Sequence, residues 1–181
     1  MSGFFRRSPS HTSHSLNSLA IDLVEIAPKV AGHGVSFRLT LSNHGDVALL
    51  LPFPRVTGLQ LTDVESSRVC GWYSHLMVNS SSTPTFTLEP AANRAFDLHA
   101  RFQGSEIEHS DYDVSDFCRW CTDMTVGKYV VQYRFTVDDD YFDPDSHARL
   151  RHLERDADEQ NVSAWAGLIE STPINVERRA T

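Results

Sequence analysis

The sequence lacks a long apolar run, a cysteine framework and a cationic surplus, and each shortage removes a class of protein. No stretch approaches the ~20 consecutive apolar residues of a membrane-spanning helix, so no such span is expected. Arg6 and Arg7 stand near the start, but a polar run from Ser8 to Ser15 follows where a secretory signal would carry its apolar segment. The expected compartment is therefore the cytoplasm, and the acceptor patterns at Asn79 and Asn161 carry no expectation of glycosylation. Cysteine is represented by Cys70, Cys118 and Cys121 alone, an odd set that does not read as a secreted disulfide framework. With 16 Lys and Arg against 24 Asp and Glu, the net charge is −8. Nucleic acid is not an expected partner, because phosphate binding wants clustered Lys and Arg.

Catalytic patterns are missing as well. None of the nine histidines opens a His-Glu-x-x-His motif, which excludes metallopeptidase chemistry of that class. His147 and His152 are five apart, too far round a helix to share a face well. Nucleophile elbows, phosphate-cradling glycine loops and dinucleotide fingerprints do not occur. The expectation is a protein that is not an enzyme and needs no cofactor.

What is present is strand. At 181 residues and 40% hydrophobic content the chain suits one domain with a sizeable core. Residues 1–18 read as a polar, disordered tail and 19–178 as the single domain. Within it, Tyr129, Val131, Tyr133, Phe135 and Val137 alternate with Lys128, Val130, Gln132, Arg134 and Thr136. A period of two places five large apolar side chains on one face, as a half-buried antiparallel strand requires.

The rest follows in chain order. Residues 19–23 open a first strand that Pro28 ends, and Val35, Phe37, Leu39 and Leu41 mark a second. Residues 43–46 are turn chemistry, and the apolar run 47–51 reads as a strand buried on both faces, stopped by Pro52 and Pro54. Leu59 and Leu61 mark another short strand, and 71–73 a strand packing an aromatic inward. Phe96, Leu98, Ala100 and Phe102 alternate, whereas 103–126 is long, acidic and aperiodic. Asp143 before Pro144 reads as a helix cap with proline at the first helical position. Leu150, Leu153 and Ala157 then share a face of a helix of roughly four turns. Trp165, Gly167, Ile169, Ile174 and Val176 read as a closing strand interrupted near Pro173. The sum is an all-β chain: an antiparallel β-sandwich of seven to eight strands with one inserted helix near the C-terminus.

The layout of strand, Asn43, turn and apolar strand, then Leu88-Glu89-Pro90 before an alternating strand, then Gly127-Lys128-Tyr129, resembles immunoglobulin-like bacterial modules. It is similar to intracellular proteinase inhibitors of the Bacillus type and to the strand-rich pro-segments of deuterolysin-type peptidases. Gly127-x-Tyr129 resembles a tyrosine corner, in which the phenol bonds back to nearby backbone. Where the related pattern has glycine after the proline, Ala91 stands here, so a different turn is expected. The resemblance implies a sandwich fold and a tendency to bind protein; it carries over no inhibitory residue.

Two constellations remain. Cys118-Arg119-Trp120-Cys121 is half of a zinc site, a redox pair, or two packed thiols. Asp138, Asp139, Asp140, Asp143 and Asp145 offer carboxylates for calcium, yet lack the glycine and terminal Glu of an EF-hand, and read as a solvated acidic loop. The functional expectation is a non-catalytic module that binds another protein, in the manner of an inhibitor or immunity-type neutraliser. Its partner would be basic, and these five aspartates would form the contact. The alternative is a zinc or redox protein built on Cys118 and Cys121.

Overall fold

A computed structural model describes residues 18–28, 32–74, 84–103, 120–138 and 148–179. Among them run thirteen strands, β1 (Leu19–Ile26), β2 (Gly34–Asn43), β3 (Leu49–Pro52), β4 (Leu59–Asp63), β5 (Trp72–Ser74), β6 (Thr85–Leu88), β7 (Asn93–Phe102), β8 (Trp120–Thr122), β9 (Gly127–Asp138), β10 (Ala148–Arg149), β11 (Ser163–Ala164), β12 (Gly167–Glu170) and β13 (Ile174–Arg178). One helix, α1 (Leu150–Gln160), lies between β10 and β11. The fold is mostly β with several antiparallel sheets. No described helix is long and apolar enough to cross a membrane.

β9 is the axis. Tyr129, Val131, Tyr133, Phe135 and Val137 are all buried, as the period of two requires. Both edges of the strand are used: β4 and β13 pair antiparallel with its first half, β12 antiparallel and β10 parallel with its second. The closing strand is indeed broken, into β12 and β13. Glu170 faces Arg134 and Ile174 faces Val131, so Ser171, Thr172 and Pro173 stand opposite only Gln132 and Tyr133. That extra residue is a bulge. Ser171 closes it by donating its N–H to the Tyr133 carbonyl at 2.9 Å and accepting the Tyr133 N–H on its hydroxyl at 2.9 Å.

A second sheet has the order β1-β2-β7-β8-β5 and a third the order β11-β3-β6. In β2 the alternation buries Phe37, Leu39 and Leu41 and leaves Arg38 outside, where it forms a two-pronged pair with Asp97 of β7. β3 is buried on both faces, with Leu49, Leu50 and Leu51 at most 1% exposed. The inward faces of all three sheets, with Leu153 and Ala157 of α1, form one apolar cluster. Asn43, buried at the end of β2, donates to the carbonyls of Val47 and Leu88 and accepts the Gly45 N–H, tying the 43–47 turn to β6. Close approach also fixes Gly58, where a Cβ would lie 2.7 Å from the Tyr133 ring.

Several expectations need correction. Thirteen strands replace seven to eight, because strands of two or three residues are too short to show a period. Pairing is not wholly antiparallel, since β7–β8, β9–β10 and β3–β11 are parallel. The aperiodic stretch contains β8. Val47 belongs to the turn, and Pro52 is the last residue of β3 rather than its stop. The helix begins at Leu150 and has 11 residues, about three turns, because residues 148–149 pair with β9 first. Its C-terminus is a cap the sequence reading did not identify. Asn161 takes φ 55°, with Val162 N–H donating to Ala157 O and Asn161 N–H to Asp158 O, the paired bonds of a Schellman motif. The turn after β6 keeps its four-residue closure, Ala92 N–H to Glu89 O, and Ala91 itself adopts φ 56°. Ser18, assigned to the tail, offers its carbonyl to His44 N–H at 2.6 Å. Residues 1–17, and the proposed cap at Asp143 and Pro144, lie outside the described residues.

Candidate functional site

β9 positions the acidic segment. Asp138 is its last residue, half-buried, and Arg149 of β10 pairs beside it in register. The two ends of the connection 139–147 are therefore neighbours, at the C-terminal end of β9. Asp139, Asp140, Asp143 and Asp145 lie outside the described residues.

The opposite end of β9 is built on Asp123. Its carboxylate takes the Arg68 guanidinium at 2.7 Å and the Gly71 N–H at 2.7 Å, and the Tyr73 hydroxyl lies at 3.5 Å. Burial works against ionisation here, but the bonds from Arg68 and Gly71 outweigh it and hold the carboxyl below its usual range. An acid that charge counting assigns to the surface thus fastens the 68–73 segment to the end of β8. Next to it, burial pushes the Cys70 thiol up, and the Asp123 carboxylate adds to the rise. Asp63 is also used internally, accepting from the backbone of Glu65 and Ser66 and from the Ser66 hydroxyl. Arg178 of β13 completes this end: it donates to the Met124 carbonyl and covers the Phe102 ring, 3.5 Å from its centroid.

Of the cysteine pair, Cys118 lies outside the described residues. Cys121 is buried on β8, and both it and Cys70 are free thiols. Arg101, only 8% exposed, faces Cys121 across the β7–β8 register and directs Nη2 to its sulfur at 3.7 Å. A guanidinium this close repels a dication at the sulfur. Among the described residues no group of three or more His, Cys, Asp or Glu is placed to hold a metal ion.

One cavity of about 220 Å³ opens between β4, the turn before it and the 69–72 segment, lined by Leu59, Gln60, Val69, Cys70, Trp72 and Arg134. Trp72 is fixed by its Nε1–H bond to the Leu59 carbonyl at 3.0 Å. Among the described residues the buried Arg134 Nε has no hydrogen-bond partner. Sequence reading passed over Arg134 and Arg101 alike. Alternation places Arg134 opposite the apolar face of β9 but gives it no role, because the cavity depends on a contact with residues more than sixty positions away.

Protein-family comparison, a search of curated proteins and a search of solved structures each found no match to this chain.

Proposed function

We propose that the chain is a non-catalytic protein-binding module on an immunoglobulin-like β-sandwich, whose acidic C-terminal loop engages a basic partner. Tyr129 carries the scaffold part of this reading. Its hydroxyl donates to the Thr125 carbonyl at 2.9 Å and accepts the Thr125 N–H at 2.9 Å, four residues upstream at the start of a central strand. This is the contact a tyrosine corner makes in sandwiches of that type. Supporting the functional part is the density of acid in the sequence after β9. Asp138 begins a segment carrying four further aspartates within seven residues. Like charges crowded this way repel one another and favour an approaching cation. An inhibitor or immunity-type role in the cytoplasm fits a module of this kind.

Capture of partners by the full chain from its native host, followed by association kinetics at several salt concentrations, tests the proposal. A basic protein whose association rate falls steeply with salt is expected. Capture of acidic or neutral proteins only, with salt-independent rates, would overturn the electrostatic reading. The zinc or redox alternative predicts one zinc per chain or a reducible Cys118–Cys121 bond, and metal analysis with thiol counting separates it.

A further inference from the structure

Three phenylalanines from separate elements meet at one place. Phe86 belongs to β6 and Phe96 to β7; Phe53 follows β3 between two prolines, with its N–H bonded to the Pro84 carbonyl at 2.9 Å. Their ring centroids lie 5.3, 5.7 and 5.1 Å apart in edge-on and tilted arrangements. Over them sits the Arg94 guanidinium, 5.3 Å from the Phe53 centroid, 4.8 Å from Phe86 and 5.3 Å from Phe96. The strand period explains part of this, since Arg94 and Phe96 are two apart on β7 and share a face. Ring faces carry the negative end of the aromatic quadrupole, so three of them converging on one point form a receptor for a cation. Among the described residues Arg94 has no carboxylate partner, although the chain carries 24 acids. Among those residues its charge is met by the three rings.

The trio also lies toward the proposed binding end. Phe102, at the C-terminal end of β7, meets Arg178, which pairs with Gly127 at the start of β9. The other end of β7, with Arg94, therefore points toward the end of β9 that carries Asp138. Two contacts agree. Trp165 donates to Leu50 of β3 and stacks on Phe135 in the second half of β9, and Thr87, next to Phe86, lies 3.4 Å from Gln160 at the end of α1.

We propose that Phe53, Phe86 and Phe96 form a seat for a guanidinium group, that Arg94 occupies it in the free protein, and that an arginine side chain of the basic partner displaces Arg94 on binding. The partner's class rests on the function proposed above; the seat itself does not. Arginine is the matching occupant because the seat already accommodates a guanidinium at cation–π distance from all three rings. Arg94 is exposed and held by ring faces, a contact weak enough for a second guanidinium presented at high local concentration to replace.

The test uses the full chain with labelled phenylalanine rings, followed by NMR as N-acetyl-arginine methylamide is added. Arg94→Gln keeps a long side chain but empties the seat of charge. In R94Q the probe is expected to shift the three ring signals saturably, at a concentration at least about threefold lower than in the wild type, where Arg94 competes. Adding Phe96→Leu to R94Q, with folding checked by the dispersion of the remaining signals, should abolish the response. If that double variant does not fold, the wild type decides: the Arg94 Nε–H signal should move to its solvent-exposed position as the probe saturates. No saturable shift in R94Q, or an unmoved Arg94 signal, would show that Arg94 only roofs the apolar core. An equal response to N-acetyl-lysine methylamide would overturn the guanidinium preference. Because the probe is a small molecule, failure here leaves the partner reading standing, and failure of partner capture leaves the seat standing.

Discussion

The Ser171 hydroxyl lies 2.9 Å from the backbone nitrogen of Tyr133 and accepts its hydrogen, doing in the bulge what a strand carbonyl does elsewhere along β9. Both residues are buried, so water cannot substitute. Ser171→Ala removes the hydroxyl that accepts the Tyr133 N–H while keeping the bond from Ser171 N–H to the Tyr133 carbonyl. The expected loss is about 1–3 kcal/mol, the range for a buried donor that loses an acceptor. A urea midpoint equal to wild type would show that the bulge closes by other means.

Tyr129 separates packing from hydrogen bonding within one side chain. Tyr129→Phe keeps the ring in the core but removes both bonds to the Thr125 backbone and the contact with its hydroxyl, and should cost about 1–2 kcal/mol. Tyr129→Ala removes the ring as well and should cost about 3–5 kcal/mol. Denaturation of the pair would reveal whether the corner exists energetically: equal stability of wild type and the phenylalanine variant would mean that the hydroxyl contributes nothing.

Ala91 pays for its left-handed backbone. At φ 56° an alanine Cβ crowds the following carbonyl, at a cost of about 1–2 kcal/mol that glycine avoids. Glycine in turn loses about 0.5–1 kcal/mol more chain entropy on folding. Ala91→Gly should therefore raise stability by up to about 1 kcal/mol, whereas Ala91→Val should lower it. A thermal melt in which glycine destabilises would mean that the turn relaxes readily around alanine.

Asp123 predicts the shape of acid denaturation. Its carboxyl titrates below the ~3.9 of an unfolded aspartate, so the folded state gains stability from it above about pH 4. That gain is lost as pH falls through the lower folded value. Asp123→Asn should cost about 1–2 kcal/mol at neutral pH, where charge-assisted bonds to Arg68 and Gly71 are weakened. The difference from wild type should shrink as pH falls below about 4. Asp97→Asn, breaking an exposed pair with Arg38, should change stability by less than about 1 kcal/mol. Parallel stability curves for wild type and D123N from pH 2 to 7 would refute the linkage.

These residues also mark how far the sequence was legible. β9 and β2 could be read because each buries one face and solvates the other, and β3 because three consecutive leucines go inside. β8, β10 and β11 could not, because two or three residues carry no period and their partners are set by tertiary contact. The helix face at Leu150, Leu153 and Ala157 was legible but its start was not, because the pairing of 148–149 with β9 is a tertiary contact. Charge counting placed Asp123 with the surface acids, because a count does not show that Arg68, 55 residues earlier, comes back to meet it. The phenylalanine trio was hidden for the same reason, with only the Arg94–Phe96 spacing visible along the chain.

The acidic end gives the last prediction. β9 has 12 residues, so its ends lie about 36 Å apart at ~3.3 Å per residue. One compact partner is therefore not expected to cover both the 139–147 segment, which follows Asp138, and the 104–119 segment, which precedes Trp120 and Asp123 at the other end. Replacing Asp138, Asp139 and Asp140 with Asn removes three charges from the first. With a basic partner in hand, association should slow by about tenfold at low salt and its salt dependence should flatten, because steering depends on unscreened charge. Dissociation should change less, and the denaturation midpoint should stay close to wild type, since like charges clustered in sequence repel one another and their removal costs folding little. Stopped-flow mixing at several ionic strengths measures the first two quantities. Neutralising Glu106, Glu108, Asp111 and Asp113 is the matched control. Should that set slow association while the Asp138 set does not, the partner docks at the Asp123 end, and the C-terminal loop is not the contact.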